Sequence, residues 1–156
     1  MKNFTYNYSS PIGFLKIITE DKNLTYLGFE EDTAASYKLD EAPEIMKKTV
    51  SELNMYFEGR LKQFTVCFAQ KATDFRMRVF SELIKIPYGE TISYKELAIR
   101  IGSPMAVRAV GGANHNNGIS IIVPCHRVIG ADGSLTGFGG GLDKKRYLLE
   151  LERRNT

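Results

Sequence analysis

Tryptophan is absent from the 156 residues, and cysteine and histidine occur only twice each, as Cys67, Cys125, His115 and His126. So few cysteines cannot build the disulfide framework of a small secreted scaffold, and the four residues give no pair-of-pairs spacing for structural zinc. Neither a disulfide nor a metal site is expected. No run approaches the roughly 18 to 20 unbroken apolar residues that a membrane span needs. Met1-Lys2-Asn3-Phe4 leads into alternating residues rather than the apolar block of a signal peptide, so a cytoplasmic protein without membrane segments is the expectation. Charge of one sign is scarce too: 21 Lys and Arg against 18 Asp and Glu leave a net +3, compatible with a polyanionic partner but too mild to identify one. What is plentiful is apolar surface, at 43% of residues, enough for one ordinary domain or two small ones.

The first third alternates apolar and polar residues over Phe4 to Tyr8, Gly13 to Thr19 and Leu24 to Phe29, with Asp21-Lys22-Asn23 as a turn; this predicts a small antiparallel sheet. From Ala42 to Glu58 the residues Met46, Val50, Leu53 and Phe57 fall at helical spacing, and Gly59 stands where a left-handed residue ends a helix. That helix can cover one sheet face. Gln63 to Phe68 reads as a further strand, and the polar Gln70-Lys71-Ala72-Thr73-Asp74 places a domain boundary, giving an N-terminal α/β domain over 1–70 and a second domain over 71–156.

The second domain opens with a helix from about Asp74 to Ile86, its inner face Phe75, Val79, Leu83 and Ile86, closed by Pro87 and Gly89. Ser93-Tyr94-Lys95-Glu96 is a capping box that starts a short helix ending at Gly102. Ser103 can cap again with Pro104 in the first helical position, so another helix is expected through Ala106, Val110 and Ala113. Two helices joined by a Gly-Ser turn resemble a helix-turn-helix. A short buried run, Ile119 to Val123, then leads to a cysteine segment, a glycine-rich loop from Gly130 to Gly141 and a last helix from about Asp143. The fold class is α+β.

The chemistry concentrates in Pro124-Cys125-His126-Arg127-Val128, which sets a thiol beside an imidazole directly after an apolar segment. A free thiol is only about 3% thiolate at neutral pH, so a nucleophilic cysteine needs a base, a nearby cation or helix-end dipoles. His126 can be that base, through a water if the adjacent side chains point apart, and it in turn needs an acid to fix its tautomer; Glu150 and Glu152 on the last helix both qualify. The residues alone leave Cys125 open between a nucleophile and a small buried hydrophobe. They favour core filler for Cys67, a solvated position for His115, and leave Arg108 between a surface arginine and a functional one on a helix otherwise made of small residues.

Several segments together are more specific. Pro124-Cys125-His126-Arg127-Val128-Ile129-Gly130 resembles the active-site motif of the O6-alkylguanine-DNA alkyltransferases, the methylated-DNA–protein-cysteine methyltransferases. Ile86-Pro87-Tyr88-Gly89-Glu90-Thr91-Ile92-Ser93-Tyr94, Arg108-Ala109-Val110-Gly111-Gly112-Ala113 and Asn117 precede it in that family's order, and Gly140-Gly141-Leu142 and Leu148-Leu149 through Glu152 follow. The resemblance spans Asp74 to Glu152, while the first seventy residues are similar to the family's N-terminal domain in layout only.

This resemblance implies that Cys125 accepts an alkyl group from O6-alkylguanine in double-stranded DNA, irreversibly and once per molecule. It further implies that His126 acts as base through water, Glu152 orients it and Asn117 braces the segment. Arg108 is then the finger that fills the stack left by a flipped nucleotide, and Tyr94 helps rotate the phosphate and protonates the leaving guanine. Ala109, Gly111 and Gly112 would let the second helix approach the minor groove closely. Val123, Phe138 and Gly139 would line the substrate pocket, with Lys145 as a further pocket residue. No cofactor is implied, since DNA donates the group, and a monomer is expected; O4-alkylthymine stays open as a second substrate. This chain departs from the family pattern at Phe80, where many members have tryptophan, and at Phe138 and Gly139, where some carry tyrosine and serine. The zinc ligands of some relatives' N-terminal domains have no equivalent. Three rivals remain: a damage-binding relative without transfer, in which the cysteine is replaced; a cysteine hydrolase, which would leave Arg108 and Tyr94 without a task; and a transcriptional regulator, whose recognition helix would carry more polar base readers.

Overall fold

The computed structural model describes residues 3–30 and 38–156. The chain divides into two compact units, Met1–Gln70 and Lys71–Thr156.

In the first unit β1 (Asn3–Ser10), β2 (Gly13–Glu20) and β3 (Asn23–Phe29) form an antiparallel meander. Alternation along β2 buries Leu15, Ile17 and Thr19, and Leu24 and Leu27 join them from β3. Helix α1 (Glu44–Phe57) lays Met46, Val50, Leu53 and Tyr56 into this core, and Gly59 after it adopts φ +76.

The strand expected over Gln63 to Phe68 is not formed. Among the described residues it pairs only at one bridge, Leu24 to Phe68, and the backbone N–H of Thr65 goes to the buried carboxylate of Glu52 on α1 at 2.8 Å instead of to a sheet partner. The segment nonetheless alternates, with Val66 inside and Cys67 exposed. Cys67 is therefore not core filler: a period-two segment that buries Val66 must turn its neighbour outward.

In the second unit α2 (Asp74–Ile84) starts at Thr73, whose side chain accepts from the Arg76 amide, and buries Val79, Phe80 and Leu83. Phe75, expected on that face, is only half-buried, and Phe80 takes the inner position. The two-residue β4 (Ile92–Ser93) pairs in parallel with β5 (Val128–Ile129). Helix α3 (Tyr94–Arg100) begins at the expected cap, with Ser93 Oγ accepting from the Glu96 amide at 3.0 Å, and its exit passes through Gly102 at φ +78. Helix α4 (Val107–His115) starts later than expected. Ser103 to Ala106 close a separate turn through Ala106 N–H to Ser103 O, and Ala106 rather than Ser103 is the cap, without a side-chain bond. Helix α5 (Leu142–Arg154) ends the unit. Among the described residues no helix is long and apolar enough to cross a membrane.

Candidate active site

Ile119 to Val123 are buried, or nearly so, as expected, but they form turns. Ile121 holds φ +72, a left-handed conformation rare for a β-branched residue. Asn117 stabilises this path: its Nδ2 donates to Ile119 O at 3.2 Å and Val123 O at 2.8 Å, and its Oδ1 accepts from the Ile119 amide at 3.1 Å. One side chain thus supplies the bonds a strand partner would have made. A 3-10 turn, Cys125–Arg127, follows at once, and Asn114 of α4 braces it by donating to Cys125 O at 3.2 Å. Strained backbone held by two asparagines marks a place where position matters more than local comfort.

The Cys125 thiol is buried. Burial pushes its pKa up, against the opposing effects of a hydrogen bond with Asn117, the charge of Lys145 and its own backbone. At rest it is a thiol, so nucleophilic use needs a base.

His126 and Glu152, expected as a pair, are brought together: Nε2 lies 2.7 Å from Glu152 Oε2, with both side chains buried. Glu150, the alternative acid, is exposed and pairs with Arg153. Burial lowers the His126 pKa against the raising effect of Glu152. The Glu152 carboxyl sits well below the ordinary range although burial opposes this, because His126 and Arg127 both donate to it. These directions fit one state at neutral pH: Glu152 anionic and His126 neutral, with its proton on Nε2. Nδ1 is left with its lone pair and has no hydrogen-bond partner among the described residues.

Arg127 is the member for which the sequence gives no role. Its Nε donates to Glu152 Oε1 at 2.8 Å, Nη2 to Oε2 at 3.0 Å, and Nη1 to Ile86 O at 2.6 Å. The Gly89 amide adds a bond to Glu152 Oε1 at 3.2 Å. A two-pronged arginine beside the base is what a buried carboxylate requires, and its place directly after a suspected base is the available hint.

Lys145 on α5 is fully buried and donates to Val128 O at 2.6 Å and Thr136 O at 2.8 Å, with Tyr94 Oη at 3.5 Å. Tyr94 itself donates to Thr136 O at 2.9 Å, and burial pushes its phenol upward. Around this point Val123 and Phe138 are buried while Gly139 is exposed. Arg108, Ala109 and Gly112 are exposed on α4, and Gly111 is half-buried. Among the described residues no three His, Cys, Asp or Glu side chains gather to hold a metal ion.

A strained turn presenting a buried thiol, with a histidine–carboxylate pair beside it, is a set suited to chemistry at sulfur, and the neighbouring helix pair exposes an arginine. The comparisons agree: residues 74–154 match the 6-O-methylguanine DNA methyltransferase DNA binding domain, and residues 4–76 match the ribonuclease-like domain of the same proteins. The chain belongs to the 6-O-methylguanine DNA methyltransferase family. It is 50% identical over 146 residues to the methylated-DNA–protein-cysteine methyltransferase of Mycobacterium tuberculosis, covering 92% of this chain and 88% of that one. Its counterpart in Haemophilus influenzae is 44% identical over 155 residues, 96% of this chain and 86% of the other. The crystal structure of the M. tuberculosis O6-methylguanine methyltransferase superposes with a TM-score of 0.87 at 45% identity, covering 99% and 95% of the two chains. That of M. tuberculosis OGT in complex with DNA gives 0.86 at 47%, covering 99% and 94%.

Proposed function

We propose that this protein repairs DNA by moving the alkyl group of O6-alkylguanine onto Cys125, one group per molecule, as a methylated-DNA–protein-cysteine methyltransferase. The observation that carries the reading is the buried pair of His126 and Glu152, 2.7 Å apart, one residue along the chain from the buried Cys125 thiol.

The alkyl carbon lies on a base edge inside the duplex, so the nucleotide must leave the stack before sulfur can line up behind it, at a cost of a few kcal/mol. Arg108, exposed at the start of α4, fills the gap, and the small Ala109, Gly111 and Gly112 let the helix backbone approach the minor groove. Val123, Phe138 and Gly139 form the wall that receives the base. His126 Nδ1 takes the thiol proton through a water, and Glu152 steadies the imidazolium that results. The sulfur–carbon bond forms as the carbon–O6 bond breaks, the bonding pair leaves with the guanine, and Tyr94 gives the departing guanine a proton. Asn117 holds the segment in place. The product is a thioether, which offers water no carbonyl, so Cys125 stays alkylated. No cofactor enters; the protein acts as a monomer in the cytoplasm.

A damage-binding role without transfer is the second reading, and the retained thiol disfavours it. Two successive portions of duplex carrying labelled O6-methylguanine separate the two. Transfer that stops at one label per protein, with nothing taken from the second portion, supports the proposal; continued turnover points to a hydrolase, and binding without transfer to a sensor.

A further inference from the structure

Lys145 is a buried ammonium without a carboxylate partner among the described residues. Burial alone makes this costly, and such lysines persist where their charge is used. An ammonium has three N–H donors and no acceptor. Here each has a destination on a different element: Val128 O on β5, Thr136 O in the glycine-rich loop, and Tyr94 Oη on α3. Tyr94 faces it from α3, Cys125 and His126 of the 3-10 turn feel its charge, and β5 and the loop offer carbonyls.

We propose that Lys145 is a positioning cation for transfer: its ammonium latches the loop bearing Phe138 and Gly139 to β5 and to Tyr94, and supports the negative charge that develops on Cys125 sulfur. The inference rests on the alkyl-transfer reading above. Chemically the latch is suited to both anions of that reaction. Cys125 feels the lysine charge as the proton leaves for His126, and Tyr94, once it has given its proton to guanine, is left as a phenolate within reach of Nζ. A lysine that only filled space would do as well uncharged.

The charge is also removable. Burial lowers the Lys145 pKa to about 8, with the Cys125 sulfur raising it. Cys125 and Tyr94 are both pushed upward and His126 downward, so none of these accounts for a loss of rate on the alkaline side.

The test is single-turnover methyl transfer from duplex O6-methylguanine DNA at saturating protein, from pH 6.5 to 9.5, for the full chain and for Lys145→Met and Lys145→Arg. The wild-type rate is expected to bend downward above about pH 8. At pH 7, Lys145→Met is expected to be at least tenfold slower and to lack the bend, with affinity for undamaged duplex within twofold of wild type. Lys145→Arg, which keeps the charge, moves the bend beyond the measured range. A wild-type rate that rises or stays level to pH 9.5 overturns the proposal without reliance on any variant, as does a folded Lys145→Met that transfers at the wild-type rate. A wild-type protein that takes up no methyl group at all refutes the alkyl-transfer reading, and this inference falls with it.

Discussion

Replacing Arg127 with methionine removes a guanidinium that makes two bonds to Glu152 and one to Ile86 O, all between buried groups. What stays behind is a buried carboxylate held by His126 and the Gly89 amide. Removing one partner of a buried pair costs about 3 to 5 kcal/mol, because the remaining charge loses its counterion without regaining water. At roughly 2 to 4 °C per kcal/mol for a chain of this size, the melting temperature should fall by about 6 to 20 °C. The base changes as well. Arg127 lowers the His126 pKa and Glu152 raises it, so without the guanidinium His126 holds its proton to a higher pH and less of it is free to accept one. The acid limb of the transfer rate should therefore move upward in Arg127→Met. Thermal melts and single-turnover rates across pH 5 to 8 measure both effects. In the double variant Arg127→Met/Glu152→Gln the stability losses should be less than additive by about 1 to 3 kcal/mol, since the groups form one network. Additive losses and an unmoved acid limb would refute the claim that Arg127 tunes the pair.

Other outcomes follow from the same geometry. A methyl group placed on Gly112 would meet no atom within 4 Å, and the φ of this residue is not left-handed. Gly112→Ala should therefore fold normally yet weaken duplex binding, as close approach of α4 to DNA requires. Asn117→Ala deletes three bonds around Ile121 and should cost about 2 to 4 kcal/mol in chemical denaturation, with slower transfer at unchanged DNA affinity. Stability should also decline with acid. The His126 and Glu152 pKa values are both lowered by folding, so their contributions are full above the unfolded values and are lost as pH falls through the folded ones. Denaturation midpoints should thus drop from about pH 6.5 downward and faster below about 4.5, and a midpoint flat from pH 7 to 4 contradicts that sign. Cys67→Ser, at an exposed position, should leave transfer unchanged.

Local rules make much of the fold legible. The hairpins, the Ser93 cap and the glycines after α1 and α3 each depend on a few neighbouring residues, and each appears where the pattern places it. Pattern and structure part where a distant group intervenes. Glu52 takes the Thr65 amide in place of a sheet partner, and the separate Ser103 turn delays α4 beyond its apparent cap. Cys67 departs for a different reason: its hydrophobicity points inward, while the alternation of its segment places it outward. In the site, the thiol and histidine stand together in sequence, but choosing Glu152 over Glu150 from the residues alone is beyond spacing, since both lie on one helix and only its packing decides which turns inward. Arg127, Asn114 and the latch made by Lys145 are invisible for that reason too, because their partners are backbone carbonyls and a carboxylate far along the chain.

The central claim is that Cys125 receives the alkyl group. Peptide-resolved mass spectrometry after mixing the protein with duplex DNA bearing a single O6-methylguanine tests it most directly. The account predicts one added methyl group, confined to the peptide containing Cys125 and saturating at one per protein; a methyl group on Cys67, or complete binding with no gain in mass, would contradict it.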